Sequence, residues 1–171
     1  SLSPTPTPTS AVVTMPATDS DSGIMVIGSN RFLHAYGANN TFVGNKAGNL
    51  TLTGGNNTGL GANALESLTT GTYNVAIGYR AGRSVTTASN MIAIGNRAAY
   101  ANTGADLIAT GSDAAYSNSG NNVIALGHAA ARNNSGFDVI ATGTQAARFN
   151  SGRGAIAIGN TAGFRNSGLE L

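Results

Sequence analysis

The sequence predicts an all-β protein, a parallel β-solenoid of about nine coils with sixteen or seventeen residues each. One sixteen-residue pattern repeats in frames that begin at Asn90, Asp106, Asn122, Asp138 and Gly154. Each frame has isoleucine at its third place, glycine at its sixth, and Asn, Ser or Thr, and Gly at places thirteen to fifteen. The same ending, a short segment with apolar residues followed by glycine, recurs upstream at Gly28, Gly44, Gly61 and Gly78. Nine copies at nearly constant spacing are typical of a stacked repeat protein.

The glycines exclude helices, because glycine at the sixth and fifteenth places is unfavourable within a helix. Short strands fit instead. The run "VIALG", which begins at Val123, is apolar on both faces, as expected of a parallel strand covered on both sides. We expect "AAY" or "AAR" to form a shorter second strand and "NSG" to form the turn that returns the chain. Such coils stack about 4.8 Å apart.

Stacking places equivalent residues on top of each other in columns. We expect an interior isoleucine ridge from Ile92, Ile108, Ile124, Ile140 and Ile156. The alanines at place nine should let two layers approach closely; they are Ala98, Ala114, Ala130, Ala146 and Ala162. The asparagines at place thirteen should form a hydrogen-bonded ladder; they are Asn102, Asn118, Asn134, Asn150 and Asn166.

The chain divides into residues 1–22, an extended arm and linker rich in Pro and Thr, and residues 23–171, the repeat domain. All four prolines lie in the first sixteen residues, where they deny the backbone donors that helices and central strands need. The segment Ala11, Val12, Val13, Thr14 and Met15 favours a strand but has no place in the stack. We expect it to be donated to the open C-terminal coil of a neighbouring molecule. The alternative is that the chain is a fragment of a longer fibre.

Composition excludes several classes of protein. The net charge is only +2, and the basic residues are dispersed, so the chain lacks the basic stripe that nucleic-acid binding needs. No apolar run approaches the roughly 20 residues of a membrane helix. There is no cysteine to supply a thiol nucleophile or a disulfide. We predict no cofactor, no metal site and no membrane insertion.

The strand pattern also predicts association. A coil this rich in alanine can fill its interior with one face of the strand, and the other apolar face then needs a partner surface. The frame N-x-I-A-x-G-x-x-A-A resembles the head repeats of trimeric autotransporter adhesins. It is also similar to repeats of bacteriophage tail fibres and large bacterial surface proteins. The resemblance covers residues 23–171 and implies a left-handed β-roll in a homotrimer.

The eleventh place of the repeat holds the candidate binding residues. They are Tyr100, Tyr116, Arg132, Arg148 and Phe164, with Phe149 and Arg165 in the next place. Stacking would bring Arg132 onto Tyr116 and Arg148 onto Phe164 as cation–π contacts. One interpretation is that these side chains pack between subunits. The other is a patch that binds a glycan or protein on a host surface, since arginine and aromatic residues are frequent anchors of recognition.

These observations favour a non-enzymatic extracellular or cell-surface fibre protein, a trimeric rod that joins head to tail and presents binding surface. The alternative is a receptor-binding segment of a phage or injection-machine tail fibre. Catalysis is disfavoured because the few carboxylates are not spaced to converge. His128 with Ser112 and Asp113 could form a nucleophile, base and acid set, but the same column accepts several polar residues. His34 is expected on the surface of an early coil.

Overall fold

The computed structural model describes residues 16–19 and 22–168, which form ten strands and no helix. The strands follow one another in a single sheet in chain order. They are β1 (Met25–Ile27), β2 (Asn30–His34), β3 (Thr41–Val43), β4 (Thr58–Leu60), β5 (Val75–Ile77), β6 (Met91–Ile94), β7 (Leu107–Thr110), β8 (Val123–Leu126), β9 (Val139–Thr142) and β10 (Ile156–Ile158). Strands β3 to β10 pair in parallel, each with the next coil. The predicted parallel β-solenoid is confirmed.

A column of glycines ends the strands β3 to β10 and allows the coils to stack. Its members are Gly44, Gly61, Gly78, Gly95, Gly111, Gly127, Gly143 and Gly159, which delimit seven turns of the solenoid. Their φ angles lie between 120° and 132°, a region that side chains exclude. At the first seven, a Cβ atom would stand 2.5 to 2.7 Å from the carbonyl oxygen of the glycine in the next coil. Only glycine permits both the bend and the close approach.

The number of coils is smaller than the nine predicted, because the first copy is not a coil. Strands β1 and β2 form an antiparallel hairpin, and β2 also pairs antiparallel with β3. The glycine of this copy, Gly28, lies in the hairpin turn. The hairpin therefore occupies the edge of β3 that an earlier coil would have used.

The isoleucine column points outward, which corrects the expectation of an interior ridge. In β6 to β9 the first and third residues are buried and the side chains between and after them face out. Leu107 and Ala109 fill the coil, for example, while Ile108 remains 39% exposed. A strand can send only alternate side chains inward, and the interior accepts the alanines of the third strand position together with the alanines of the turn segment.

The segment after each strand is a series of turns, so the predicted second strand at "AAY" or "AAR" is wrong. Backbone φ is positive at alternate residues, as at Asp113 (57°), Ala115 (50°) and Ser117 (55°). Asp113 donates its N–H to the preceding coil, at Asn96, and Ala115 donates to the following coil, at Ala130 (2.9 and 2.7 Å). A left-handed residue costs about 1 to 2 kcal/mol, and these bonds between coils offset that cost.

The asparagine ladder of place thirteen is present. The amide Nδ2 of Asn118 donates to Oδ1 of Asn102 at 2.9 Å, and Asn134 donates to Asn118 at 2.7 Å. Asn150 and Asn166 continue the series at 2.8 and 2.9 Å. Asn102, Asn118, Asn134 and Asn150 are buried, so the ladder satisfies amides that water does not reach.

The early coils place a second ladder elsewhere, just before the strand. Asn57 donates to Asn40 at 3.1 Å and Asn74 donates to Asn57 at 2.9 Å. In later coils that column becomes apolar, beginning with Met91, which pairs with Leu107. In the early coils, the column that later forms the ladder of place thirteen is apolar. Its members are Leu52, Leu68 and Val85, and the next member is Asn102.

One column changes from asparagine to apolar residues and the other from apolar residues to asparagine in the same coil. At that coil the spacing of the glycines falls from seventeen residues to sixteen. Gly78 to Gly95 is the last long interval and Gly95 to Gly111 the first short one. The new ladder begins beside the new apolar column, with Nδ2 of Asn102 4.0 Å from Sδ of Met91. Every complete coil thus keeps one amide column and one apolar column, which preserves both the volume and the hydrogen bonding of the interior.

Replacing Asn134 by alanine should destabilise the protein by on the order of 3 kcal/mol, because buried partners on both sides lose their hydrogen bonds. Asn134 donates to Asn118 and to Gly136 and accepts from Asn150. Thermal or urea unfolding measures the loss. Ser135→Ala, which changes the exposed neighbour, is the matched control. Equal stability of the two variants would contradict a structural role for the ladder.

Candidate functional site

The residues of place eleven form a continuous column along the turn segments. Rings of Tyr100 and Tyr116 stack with centroids 5.1 Å apart and planes inclined by 9°. The guanidinium carbon of Arg132 lies 5.1 Å from the centroid of Tyr116, and that of Arg148 lies 6.0 Å from the centroid of Phe164. Both cation–π contacts expected from stacking are therefore present, while the role of the column as a binding or inter-subunit patch stays a prediction.

The column extends further upstream than the sequence analysis proposed. Arg83 donates from Nε to Glu66 at 2.6 Å and from Nη1 to the hydroxyl of Tyr100 at 3.1 Å. Glu66, Arg83 and Tyr100 are seventeen residues apart, which is the period of the early coils. That spacing is the sequence signal from which their stacking in one column could have been predicted. Hydrogen bonds from Ser84 and Arg83 lower the pKa of Tyr100, and the hydrogen bond to Glu66 raises the pKa of Arg83.

Asp113 neutralises the middle of this surface. Its Oδ2 accepts from Arg97 at 2.8 Å and stands 3.9 Å from Nη1 of Arg132. Its Oδ1 is buried without a hydrogen-bond partner among the described residues. Arg97 also lies over Tyr116, 5.6 Å from the ring centroid. Arg97 was not predicted as a member of the surface, although its position three residues before Tyr100 places it on the same turn segment.

The C-terminal end of the column is an Arg/Phe cluster, composed of Arg148, Phe149, Phe164 and Arg165. The two rings meet edge to face with centroids 5.9 Å apart. Arg148 lies 4.8 Å from the ring centroid of Phe149, and Arg165 lies 5.8 and 5.4 Å from the centroids of Phe149 and Phe164. Within the described ranges, no ion pair includes either arginine. The cluster therefore carries positive charge that no carboxylate in that part of the chain neutralises.

The hypothetical set of Ser112, Asp113 and His128 is organised differently from a catalytic triad. Ser112 and His128 are exposed, whereas Asp113 is buried and engaged by Arg97. Across residues 16–19 and 22–168, no group of three His, Asp or Glu side chains could hold a metal ion. The same residues include no helix of the length and hydropathy that a membrane span requires.

A second surface is the outer face of the parallel sheet. Two side chains of each strand from β3 to β10 point outward, and the sixteen positions carry only apolar residues and threonine. The exposed members include Leu60, Ile94, Ile108, Ile140 and Ile158. A continuous uncharged face of this kind on a chain of this size indicates an interaction surface.

His34 is buried, which corrects the expectation of a surface position. Its Nε2 lies 2.8 Å from the carbonyl of Ala47, its Nδ1 accepts the N–H of Tyr36 at 3.3 Å, and its ring lies 4.9 Å from that of Phe42. These contacts hold the neutral tautomer with hydrogen on Nε2. Burial lowers the pKa of His34. The hairpin, which the repeat pattern did not predict, creates this environment.

Comparison of the chain with protein-family models, with curated proteins and with solved structures found no match. The class that the fold defines is a parallel β-solenoid.

We expect the protein to lose stability as the pH falls below about 6.5, the ordinary histidine value. The unfolded chain then binds a proton that folded His34 resists, so the stabilisation is complete above that pH and decreases towards the lowered pKa. His34→Gln, which can still donate to Ala47, should show a smaller fall in melting temperature between pH 7.5 and pH 5. His128→Gln, at an exposed position, is the control and should behave like the wild type. An unchanged pH dependence in His34→Gln would contradict the assignment.

Proposed function

We propose that the chain is a non-enzymatic extracellular fibre or adhesin module, in which three identical solenoids associate into a rod. The observation that carries the proposal is the outer face of the parallel sheet. Its two columns of apolar residues and threonine run the length of the stack without a charge. A fibre uses such a face to join chains and leaves the turn segments free to meet other molecules.

The free energy of apolar burial favours an interface that covers the outer face of the sheet. The outward side chains Ile92, Ile108 and Ile140 are each 38 to 39% exposed in the single chain. Burial of apolar surface contributes about 25 cal/mol per Å², and the array repeats this gain in every coil. Trimeric association rather than another stoichiometry is supported by the resemblance of the frame to the head repeats of trimeric adhesins.

A tail-fibre segment is the second candidate, and it shares the rod and the exposed turn segments. In both cases the rod presents the column of place eleven along its length. The two candidates differ in the particle that bears the fibre, a cell surface or a virion, and cryo-electron microscopy of the native particle distinguishes them.

Head-to-tail joining of rods is supported by the end of the stack at β10. In the described chain β10 pairs only with β9, and its outward residues Ile156 and Ile158 are 55% and 69% exposed. At Gly159 a Cβ atom would meet nothing within 4 Å, unlike at the preceding glycines of the column. Unpaired edges of this kind accept a further strand. The segment proposed to be donated, Ala11 to Met15, lies outside the described residues.

Light scattering of the chain without residues 1–18, which lacks the segment proposed for head-to-tail joining, should report three chains per particle, and the variants below are made in this shortened chain. Lysine at Ile108 and Ile140 should give folded monomers, because each change would place an unpaired charge in the interface. Lysine at Ser112 and Thr144, exposed residues of the same coils, adds equal charge outside the sheet face and should leave the trimer intact. A mass other than three chains for the shortened chain without these substitutions would overturn the trimer. Monomers of both double variants would contradict the sheet-face interface.

Electron microscopy of the full chain should show filaments, and a chain without residues 1–18 should show single rods. Strand addition at β10 requires the donated segment, so its removal leaves the edge unpaired. Truncation of residues 1–9 alone is the matched control and should still polymerise. Single rods of the full chain, or polymerisation of the chain that starts at residue 19, would exclude the donation of Ala11 to Met15.

A further inference from the structure

Three arginines lie close together at the C-terminal end of the turn surface. Arg132 and Arg148 occupy the same place in successive coils, so their backbones lie about 4.8 Å apart, and Arg165 follows one coil later in the next place. Upstream, Glu66 binds Arg83 and Asp113 binds Arg97, so that charge is locally neutralised. Among residues 16–19 and 22–168, the carboxylate that approaches Arg132 is that of Asp113, whose Oδ2 lies 3.9 Å from Nη1.

The Arg/Phe cluster holds its two guanidinium groups in defined positions. The guanidinium carbon of Arg148 lies beside both rings, 4.8 Å from the centroid of Phe149 and 6.0 Å from that of Phe164. Its Nη1 donates to Gln145 at 3.3 Å, and its buried Nε has no hydrogen-bond partner among the described residues. Arg165 lies within 5.8 Å of both rings and is exposed. Contact with rings partly desolvates guanidinium groups, which strengthens their binding to anions.

The geometry points to a binding site for a carboxylated polysaccharide, formed by Arg132 and the Arg/Phe cluster. Guanidinium groups bind carboxylates through two parallel N–H···O bonds, a match that a point charge cannot provide. The rings of Phe149 and Phe164, which are 37% and 40% exposed, offer apolar surface next to these donors. A sugar acid presents the same combination, a carboxylate beside the apolar C–H face of a ring.

Nucleic acid fits this surface less well. Its affinity comes from many phosphate contacts, and here three arginines stand on a chain whose net charge is only +2. Single-stranded nucleic acid also needs aromatic faces on which bases stack. The rings of Phe149 and Phe164 meet edge to face, with planes inclined by 88°, so they do not form parallel platforms for successive bases.

The proposed site deepens the proposed function, because a trimeric rod would carry it three times. A polymer that repeats its carboxylate along the chain can contact several copies at once, and the effective concentration of the second contact raises the overall affinity by up to about 10² to 10⁴. A single chain should bind the same polymer weakly through one cluster.

Titration of immobilised polygalacturonate with the full chain tests the site. We expect binding that weakens with salt, and a loss of at least tenfold in the double variant Arg148→Gln/Arg165→Gln. The control Lys46→Gln/Arg153→Gln removes two positive charges elsewhere and should bind within twofold of wild type. Unchanged binding by the cluster variant, an equal loss in the control, or equal binding of neutral dextran would overturn the site.

Further arms separate the ligand classes and the two proposals. Tighter binding of a DNA duplex than of polygalacturonate, or binding of dextran sulfate without polygalacturonate, would overturn the carboxylated ligand. Arg148→Lys/Arg165→Lys keeps the charge and should bind severalfold more weakly than wild type; equal binding would contradict bidentate recognition. Light scattering on each variant shows whether binding is lost with the oligomer unchanged. A monomeric wild type whose binding depends on the cluster would support the site while rejecting the trimer.

Discussion

Hydrogen-bonded columns of asparagine amides hold the coils in register, and the rest of the structure depends on them. A buried amide needs partners for its donors and acceptor, and in a parallel stack these partners are the amides above and below. Asn134, which bonds to Asn118 on one side and Asn150 on the other, shows the arrangement. If one coil were shifted in register, its own amide and the amides of the coils above and below it would each lose a hydrogen bond. The repeat in the sequence is the consequence of this demand.

The same constraint explains why the change of ladder is abrupt. An amide column that lost an internal member would leave the neighbouring amides without hydrogen-bond partners. The early ladder therefore ends at Asn74, and the later ladder begins in the next coil at Asn102. At the junction Oδ1 of Asn74 accepts the backbone N–H of Met91 at 3.1 Å, which satisfies the last acceptor of the early ladder. The apolar column moves at the same step. The interior therefore changes its arrangement while the amides of Asn74 and Asn102 keep hydrogen-bond partners.

The narrow interior accepts one large apolar side chain and one alanine from each of the strands β6 to β9. Alanines such as Ala109 and Ala114 bring the strand and the turn segment together, and the remaining apolar column takes Leu107 or Val123. The isoleucines that alternate with them form the outer face of the sheet. The outer column of place eleven is free of the interior's volume and amide constraints. It varies from Glu66 through Tyr116 to Arg148, and each pair of neighbours still makes a contact suited to its chemistry, except for the like-charged pair of Arg132 and Arg148.

The sequence by itself determined the period, the positions of the parallel strands, the Asn102 ladder and the contact of Arg132 with Tyr116, because a stack converts equal places into neighbours. It did not determine which face of "LIAT" or "VIAL" points inward, since both faces lack charge and begin with a large apolar residue. The small interior between the strand and the alanine turn accepts the face of Leu107 and Ala109, which pairs one large side chain with an alanine, and leaves Ile108 and Thr110 outside. It did not reveal the left-handed residues at Asp113 and Ala115, whose N–H groups bond to the neighbouring coils. The burial of His34 also came only with tertiary structure. There an antiparallel hairpin, specified by no repeat, folds over Phe42 and replaces the first coil.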